Sequence, residues 1–138
     1  MSVGLPVAFH PNASLEELHT LYRESSVYWH AQGFGESHLM APQSQEHFGI
    51  TTVEAMSAGA IAMVYDTAGP AEVVADVPGT VRWTSLEELR LATRNIARAD
   101  PTDMASLRRA AQRRAAEFSE AAFATRLLTL IETGSPRS

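Results

Sequence analysis

The stretch Glu46-His47-Phe48-Gly49-Ile50-Thr51-Thr52-Val53-Glu54, running on into Ala55-Met56-Ser57-Ala58-Gly59, constrains this chain more than any other. It lies between two apolar runs, Val27-Tyr28-Trp29 upstream and Ala60 to Tyr65 downstream. Thr51 to Ala58 reads as a short helix, with Gly49 as the flexible residue before it and Gly59 as its left-handed stop. A glycine turn that opens a helix presents free backbone N–H groups at the positive end of the helix dipole, which favours a phosphate or carboxylate there. Two acids flank the turn, Glu46 before the helix and Glu54 in its first turn. Acids beside an anion site repel the anion unless they bind something else, and sugar hydroxyls fit that role. Thr51-x-x-Glu54 also has the spacing of a capping box, so a second reading ties Glu54 back to the start of its own helix.

The rest of the chain arranges itself around this element. Val7-Ala8-Phe9 is a short strand candidate, restricted by Pro6 to a start or an edge. Ser14-Leu15-Glu16-Glu17 is a capping box opening a helix to about Glu24, with Leu15, Leu18 and Leu21 or Tyr22 on its inner face. Val27 to His30 is a buried strand, and Ala31 to Gln45 a long loop holding Gly33, Gly35 and Pro42, of the kind usually functional or mobile. After the strand Ala60–Tyr65, Pro70 suits the first position of a short helix, Ala71–Val74. Thr80–Trp83 is a brief strand, and Ser85-Leu86-Glu87-Glu88 caps a helix to about Ala99. Asp100-Pro101 caps another to about Glu117, whose Arg108, Arg109, Arg113 and Arg114 read as a solvated face. A last helix runs from Glu120 to about Glu132 with Phe123, Leu127, Leu130 and Ile131 on one side as core or interface packing, before a disordered tail at 133–138.

Strands alternating with helices predict an α/β fold, a Rossmann-like parallel sheet flanked by helices. Ligands of such sheets bind at the carboxyl ends of the strands. The Ala31–Gln45 loop, the Glu46 turn and the Asp66–Gly69 loop all leave such ends and should converge on one crevice. The strand count is low for a doubly wound domain, so the fold is expected to be incomplete at its N-terminal side, with an apolar edge that drives self-association.

Composition narrows the function. A net charge of −5 argues against a nucleic-acid partner. Without cysteine there are no disulfides or thiolate metal sites, and His10, His30, His38 and His47 do not pair at ligand spacing, so no metal is expected. No run approaches the roughly 20 apolar residues of a transmembrane span, and the first residues lack a signal peptide's regions, which predicts the cytoplasm. Gly33-Phe34-Gly35 matches a dinucleotide fingerprint poorly because His38 takes the last glycine's place, leaving a plain loop and a nucleotide contact equally open. Ser37 and Ser57 have no nucleophile-elbow context.

Glu46-x7-Glu54 within Glu-His-Phe-Gly-Ile-Thr-Thr-Val-Glu-Ala-Met, followed by Ala58-Gly59 and then Ala68-Gly69-Pro70-Ala71-Glu72-Val73-Val74, resembles the retaining GT-B glycosyltransferases of family 4. Trp29-His30, Gly33-Phe34-Gly35-Glu36 and Val81-Arg82-Trp83 are most similar to branches with GDP-mannose-dependent mannosyltransferases. The resemblance, over about Val7 to Ile131, implies that residues 1–132 are a partial C-terminal, donor-binding domain. It implies that Glu46, the catalytic candidate, contacts donor sugar hydroxyls and that Glu54 holds the ribose hydroxyls. Phe48, Gly49, Ile50 and Thr51 would form the turn that meets sugar and diphosphate, with Gly33 and Gly35 passing close to the nucleotide. No cofactor is implied beyond the nucleotide-sugar donor, and no catalytic metal.

The departures from that pattern are the acceptor-binding N-terminal domain, the opening of the donor domain and its diphosphate-gripping Gly-Arg and Lys. The chain has no lysine at all, and Ala68 stands where the family usually has glycine. Transfer needs donor and acceptor held together, so the chain alone is expected to be inactive, with a separate chain as one source of the missing half. The alternative is a non-catalytic nucleotide-binding or interaction module that kept the fold.

Overall fold

The computed structural model describes residues 6–35 and 49–133. The element order is α1 (Leu15–Glu24), β1 (Val27–His30), α2 (Ile50–Ser57), β2 (Ile61–Tyr65), α3 (Ala68–Val73), β3 (Val81–Trp83), α4 (Leu86–Ala97), α5 (Pro101–Ala116) and α6 (Glu120–Thr133). The three strands form a parallel sheet in the order β1-β2-β3, flanked by helices, so the Rossmann-like α/β expectation holds. Ile61 to Val64 of the central strand are wholly buried, because helices cover both faces of a parallel sheet and its middle strand meets no water.

The pleat sorts the core into two layers. Met63, Trp83 and Leu89 pack together beneath α4 with Val27, Tyr65 and Val81 around them. Ala62 and Val64, on the opposite face, meet Met56 of α2, Val73 and Val74 at the end of α3, and Ala111 and Ala115 of α5. Small residues on α5 let its backbone come close to the sheet. Helix α1 is a further layer out, with Tyr22 packed on Ala55 and Ala60.

Local capping chemistry sets several helix starts. Ser14 with Glu17, and Ser85 with Glu88, each form a reciprocal capping box, and Asp100 accepts from the Asp103 N–H with Pro101 at the first helical position. Helix α3 starts earlier than the sequence suggests, at Ala68, with Pro70 third rather than first. Proline is tolerated there because the first four N–H groups of a helix have no intrahelical acceptor in any case.

Other expectations fail for identifiable reasons. Val7 to Phe9 is not a strand; the segment pairs with nothing among the described residues, and Phe9 is 82% exposed. Leu15 faces solvent, not the core, since α1 meets the body of the protein only through its later turns at Leu18 and Tyr22. Leu127, Leu130 and Ile131 of α6 are likewise exposed, which removes the core half of the core-or-interface expectation for Leu127 and Leu130. The arginines of α5 are not a uniformly solvated face. Arg114 donates to the carbonyls of Val73 and Glu72 at 2.9 Å each and lies 5.0 Å over the Phe118 ring. Arg108 donates to the carbonyls of Ser25 and Arg23 at 3.2 and 3.3 Å. Both guanidiniums thus lie against carbonyls at the C-terminal ends of α3 and α1, where the helix dipole favours a cation. Arg109 and Arg113 remain exposed.

Candidate functional site

Parallel strands point their carboxyl ends the same way, so the segments leaving β1 and β2 and the start of α2 gather at one end of the sheet. Gly33 and Gly49 both have positive φ, 85° and 68°. Gly33 is buried, and a Cβ there would stand 3.8 Å from Thr67 Cγ2, at the start of α3. A Cβ on Gly49 would stand 3.1 Å from Pro70 Cα and 3.3 Å from its nitrogen. Glycine at 49 therefore allows both the left-handed turn and the close approach of α3.

Gly35, with φ 78°, has no described atom within 4 Å of where a side chain would begin. Between these glycines Phe34 anchors the segment, its ring 5.4 Å from Tyr65 and 5.1 Å from Trp83, which are themselves 5.2 Å apart. Trp83 is fully buried and donates through Nε1 to the Met63 carbonyl at 3.3 Å. Edge-to-face and tilted aromatic pairs of this kind contribute about 0.5–1.5 kcal/mol each beyond area burial. This trio ties the end of β1 to β2 and β3, and neither Tyr65 nor Trp83 stands out as a site residue in the sequence.

Helix α2 begins one residue earlier than the sequence suggests. Its N-cap is Gly49, which offers no side-chain cap, and its first backbone bond runs from the Val53 N–H to the Gly49 carbonyl at 3.0 Å. The N–H groups of Ile50, Thr51 and Thr52 consequently have no intrahelical acceptor. The Ile50 side chain is exposed, and the Thr51 hydroxyl accepts from Tyr28 Oη at 2.9 Å. Thr52 is wholly buried, and its Oγ1 has no hydrogen-bond partner among the described residues.

This start also removes the capping-box reading of Glu54. Thr51 is the second helical residue rather than the N-cap, and Glu54 is the fifth, beyond the first turn. The half-buried Glu54 borders a groove of about 240 Å³ between α1 and α2, with His19, Tyr22, Arg23, Ser57 and Ala58 as its other walls. The structure thus brings Gly33, Gly49, Thr67 and Pro70 together, while Glu54 opens beside α1 about one helical turn away. His19, Tyr22 and Arg23 stand at i, i+3 and i+4, so their common face is legible in the sequence, although nothing in the sequence says that it meets Glu54.

Glu46 and Phe48 lie outside the described residues, as do Glu36, Ser37, His38 and His47. His30 ends β1 and is buried against Tyr28, with ring centroids 6.3 Å apart. Among the described residues no group of three or more His, Cys, Asp or Glu could hold a metal ion, and no helix is long and apolar enough to cross a membrane.

A helix start with no side-chain cap among the described residues, at the carboxyl ends of a parallel sheet and with glycines packed against the next turn, is an arrangement suited to an anionic ligand. Comparison with protein-family models matches residues 3–81, more than half of the chain, to glycosyl transferases group 1. Neither the comparison with curated proteins nor that with solved structures gives a match. The matched span holds the whole sheet up to the first residue of β3, together with the Gly49 turn and α2, and on that match the chain belongs to the group 1 glycosyltransferases.

Proposed function

We propose that this chain binds a nucleoside-diphosphate sugar, of the GDP-mannose class, as the donor domain of a GT-B enzyme of family 4. Transfer would proceed with retention and without a catalytic metal, to an acceptor held by a separate domain or chain. The observation that carries the reading is the start of α2. Gly49 caps it without a side chain, leaving the N–H groups of Ile50, Thr51 and Thr52 available at the positive end of the helix dipole. These donors suit a diphosphate and offset the charge that develops on it as it leaves. Gly33 and Gly35 give the segment after β1 the backbone freedom to run close to a nucleotide. Glu54 takes the ribose hydroxyls, a role favoured by the loss of its capping alternative. Glu46, eight residues earlier, takes the hydroxyls of the transferred sugar.

Calorimetry with GDP, UDP and ADP in the presence of a chelator tests the reading. Weak binding is expected, with Kd of about 0.1–1 mM, or roughly −4 to −5.5 kcal/mol, unchanged by removing divalent metal. Absence of heat for all three at millimolar concentration, or binding that appears only when a divalent metal is added, would overturn it.

A further inference from the structure

Two hydroxyls at the head of α2 carry protons that meet no acceptor among the described residues. Helical threonines elsewhere in the chain give theirs to the carbonyl four residues back, as Thr20, Thr93 and Thr125 do at 3.0, 2.8 and 2.9 Å. Thr51 is the second residue of α2, so the position four back precedes the Gly49 N-cap and lies outside the helix. Its Oγ1 accepts from Tyr28 Oη at 2.9 Å. A hydroxyl has one proton and two lone pairs, and with one lone pair taken by the phenol the Thr51 proton is turned away from Tyr28. Thr52, the third residue, is wholly buried, and its Oγ1 is likewise unpartnered among the described residues. Burying a hydroxyl without a partner costs stability that an isosteric valine would not lose. The Cα–Cβ bonds of a helix tilt toward its N-terminus, which carries both hydroxyls to the end where the Ile50, Thr51 and Thr52 N–H groups are open.

We propose that the Thr51 and Thr52 hydroxyls donate to an oxyanion seated at the head of α2, and that Tyr28 is a positioning residue that aims the first of them. The oxyanion is a phosphate of the nucleoside diphosphate, so this inference rests on the donor-binding reading and adds side-chain donors to its backbone ones. Hydroxyls that donate to a phosphate form charge-assisted bonds, roughly twice as strong as neutral ones. Tyr28 does not touch the ligand. Its ring is held edge-on to Tyr22, with centroids 5.8 Å apart, and packs against Ala55 and Ala60. A phenol fixed in this way restrains the Thr51 hydroxyl before the ligand arrives, so less freedom is lost on binding. Thr52 follows the same logic, since a hydroxyl that weakens the free fold becomes paired when the anion is bound.

Calorimetry with whichever of GDP, UDP and ADP binds tightest, and urea unfolding of the same proteins, test this. Thr52→Val keeps the side chain's shape and should unfold at an equal or higher urea concentration, yet bind the nucleotide about tenfold more weakly. Thr51→Val should weaken binding by a similar factor, and Thr51→Ser, which keeps the hydroxyl, should stay within about threefold of the wild type. Neither valine should alter the ratio of ribose to 2′-deoxyribose nucleotide affinity, because the hydroxyls face phosphate. Tyr28→Phe should weaken binding about threefold alone and add nothing beside Thr51→Val; the double variant also removes the phenol that Thr51→Val leaves unpaired. Wild-type affinity in either valine variant would overturn the proposal. So would a Thr52→Val less stable than the wild type, which would show that hydroxyl to be paired within the fold. A Tyr28→Phe loss that persists in full beside Thr51→Val would overturn the positioning role. A wild-type chain that binds no nucleoside diphosphate removes the donor-binding reading and this inference together, whereas a wild type that binds with unaffected valine variants removes this inference alone.

Discussion

Replacing Gly49 with alanine tests the turn at the head of α2 directly. The residue sits at φ 68° and ψ 34°, a conformation that costs an L-residue roughly 1–2 kcal/mol. The new Cβ would lie 3.1 and 3.3 Å from Pro70 Cα and nitrogen and 3.4 Å from Val73 Cγ2. The first two are backbone atoms, which no rotamer change can move aside, and overpacking of this kind adds about 1 kcal/mol or more. Against this, alanine narrows the unfolded ensemble by about 0.4–1 kcal/mol. The net expectation is a loss of about 2 kcal/mol. In urea, with m of about 2 kcal/mol per molar for a small domain, the midpoint should fall by about 1 M without a change in m. Gly35→Ala is the matched control, because φ is 78° there but no atom of the described residues stands within 4 Å of the added carbon. It should lose only the conformational share, about 0.5–1 kcal/mol after the unfolded-state gain. If the two substitutions cost the same within about 0.5 kcal/mol, the close approach of α3 to Gly49 contributes nothing and the argument for that glycine fails.

Glu54→Gln should leave stability within about 0.5 kcal/mol, yet weaken nucleotide binding about tenfold and erase discrimination between ribose and 2′-deoxyribose nucleotides; equal discrimination by both proteins in calorimetry would remove Glu54 from the ribose. Because Glu54 caps nothing, Glu54→Ala should be no less stable than Glu54→Gln by more than about 0.5 kcal/mol in the same urea titration. Arg114→Ala removes charged hydrogen bonds to two carbonyls at the end of α3 and the stack on Phe118, and should cost about 2–3 kcal/mol, against under 0.5 for the exposed Arg113→Ala; parity in urea melts would refute the distinction. The carboxyls of Glu88 and Glu17 are held below the usual glutamate range, the first by the Thr84 N–H and then its hydroxyl, the second by the Ser14 N–H and then its hydroxyl. A lowered folded value means that both caps contribute fully above the ordinary glutamate range and are lost as pH falls through the lower folded value. Acid titration of the melting temperature should therefore be shallower in Glu88→Gln, and an unchanged slope would count against the cap.

Features written within three or four residues were readable from the chain. The boxes at Ser14 and Ser85 and the Asp100-Pro101 start depend on local donors and acceptors, and β2 on an unbroken apolar run. The reading of Glu54 as a cap failed by a small offset in where α2 begins, since Thr51-x-x-Glu54 fixes a spacing but not which residue leaves the helix. Helical spacing in α6 correctly groups Leu127, Leu130 and Ile131, but cannot say whether anything covers that face. Arg108 and Arg114 were opaque for another reason, because their acceptors stand 83 and 41 residues away in the chain. At the site, Gly33 and Gly49 announced themselves as turn residues and the Asp66–Gly69 loop was expected beside them from the strand end it leaves, whereas the close approach of Pro70 to Gly49 comes only through the packing of α3.

Those long separations bear on how the protein comes off the ribosome. Ala111 and Ala115 line the same core as Met56, Ala62 and Val64, and Arg114 closes the end of α3. When the last residue of the family-matched span is added, at position 81, that face of the sheet is covered only in part, by α2 and the end of α3, and the carbonyls of Glu72 and Val73 still lack their guanidinium. A nascent chain must hold this apolar surface open for roughly 35 more residues, some 2–7 s at ordinary elongation rates. Chaperone dependence should therefore concentrate in that interval, and a chain ended at residue 81 should aggregate although it carries the Gly49 turn intact.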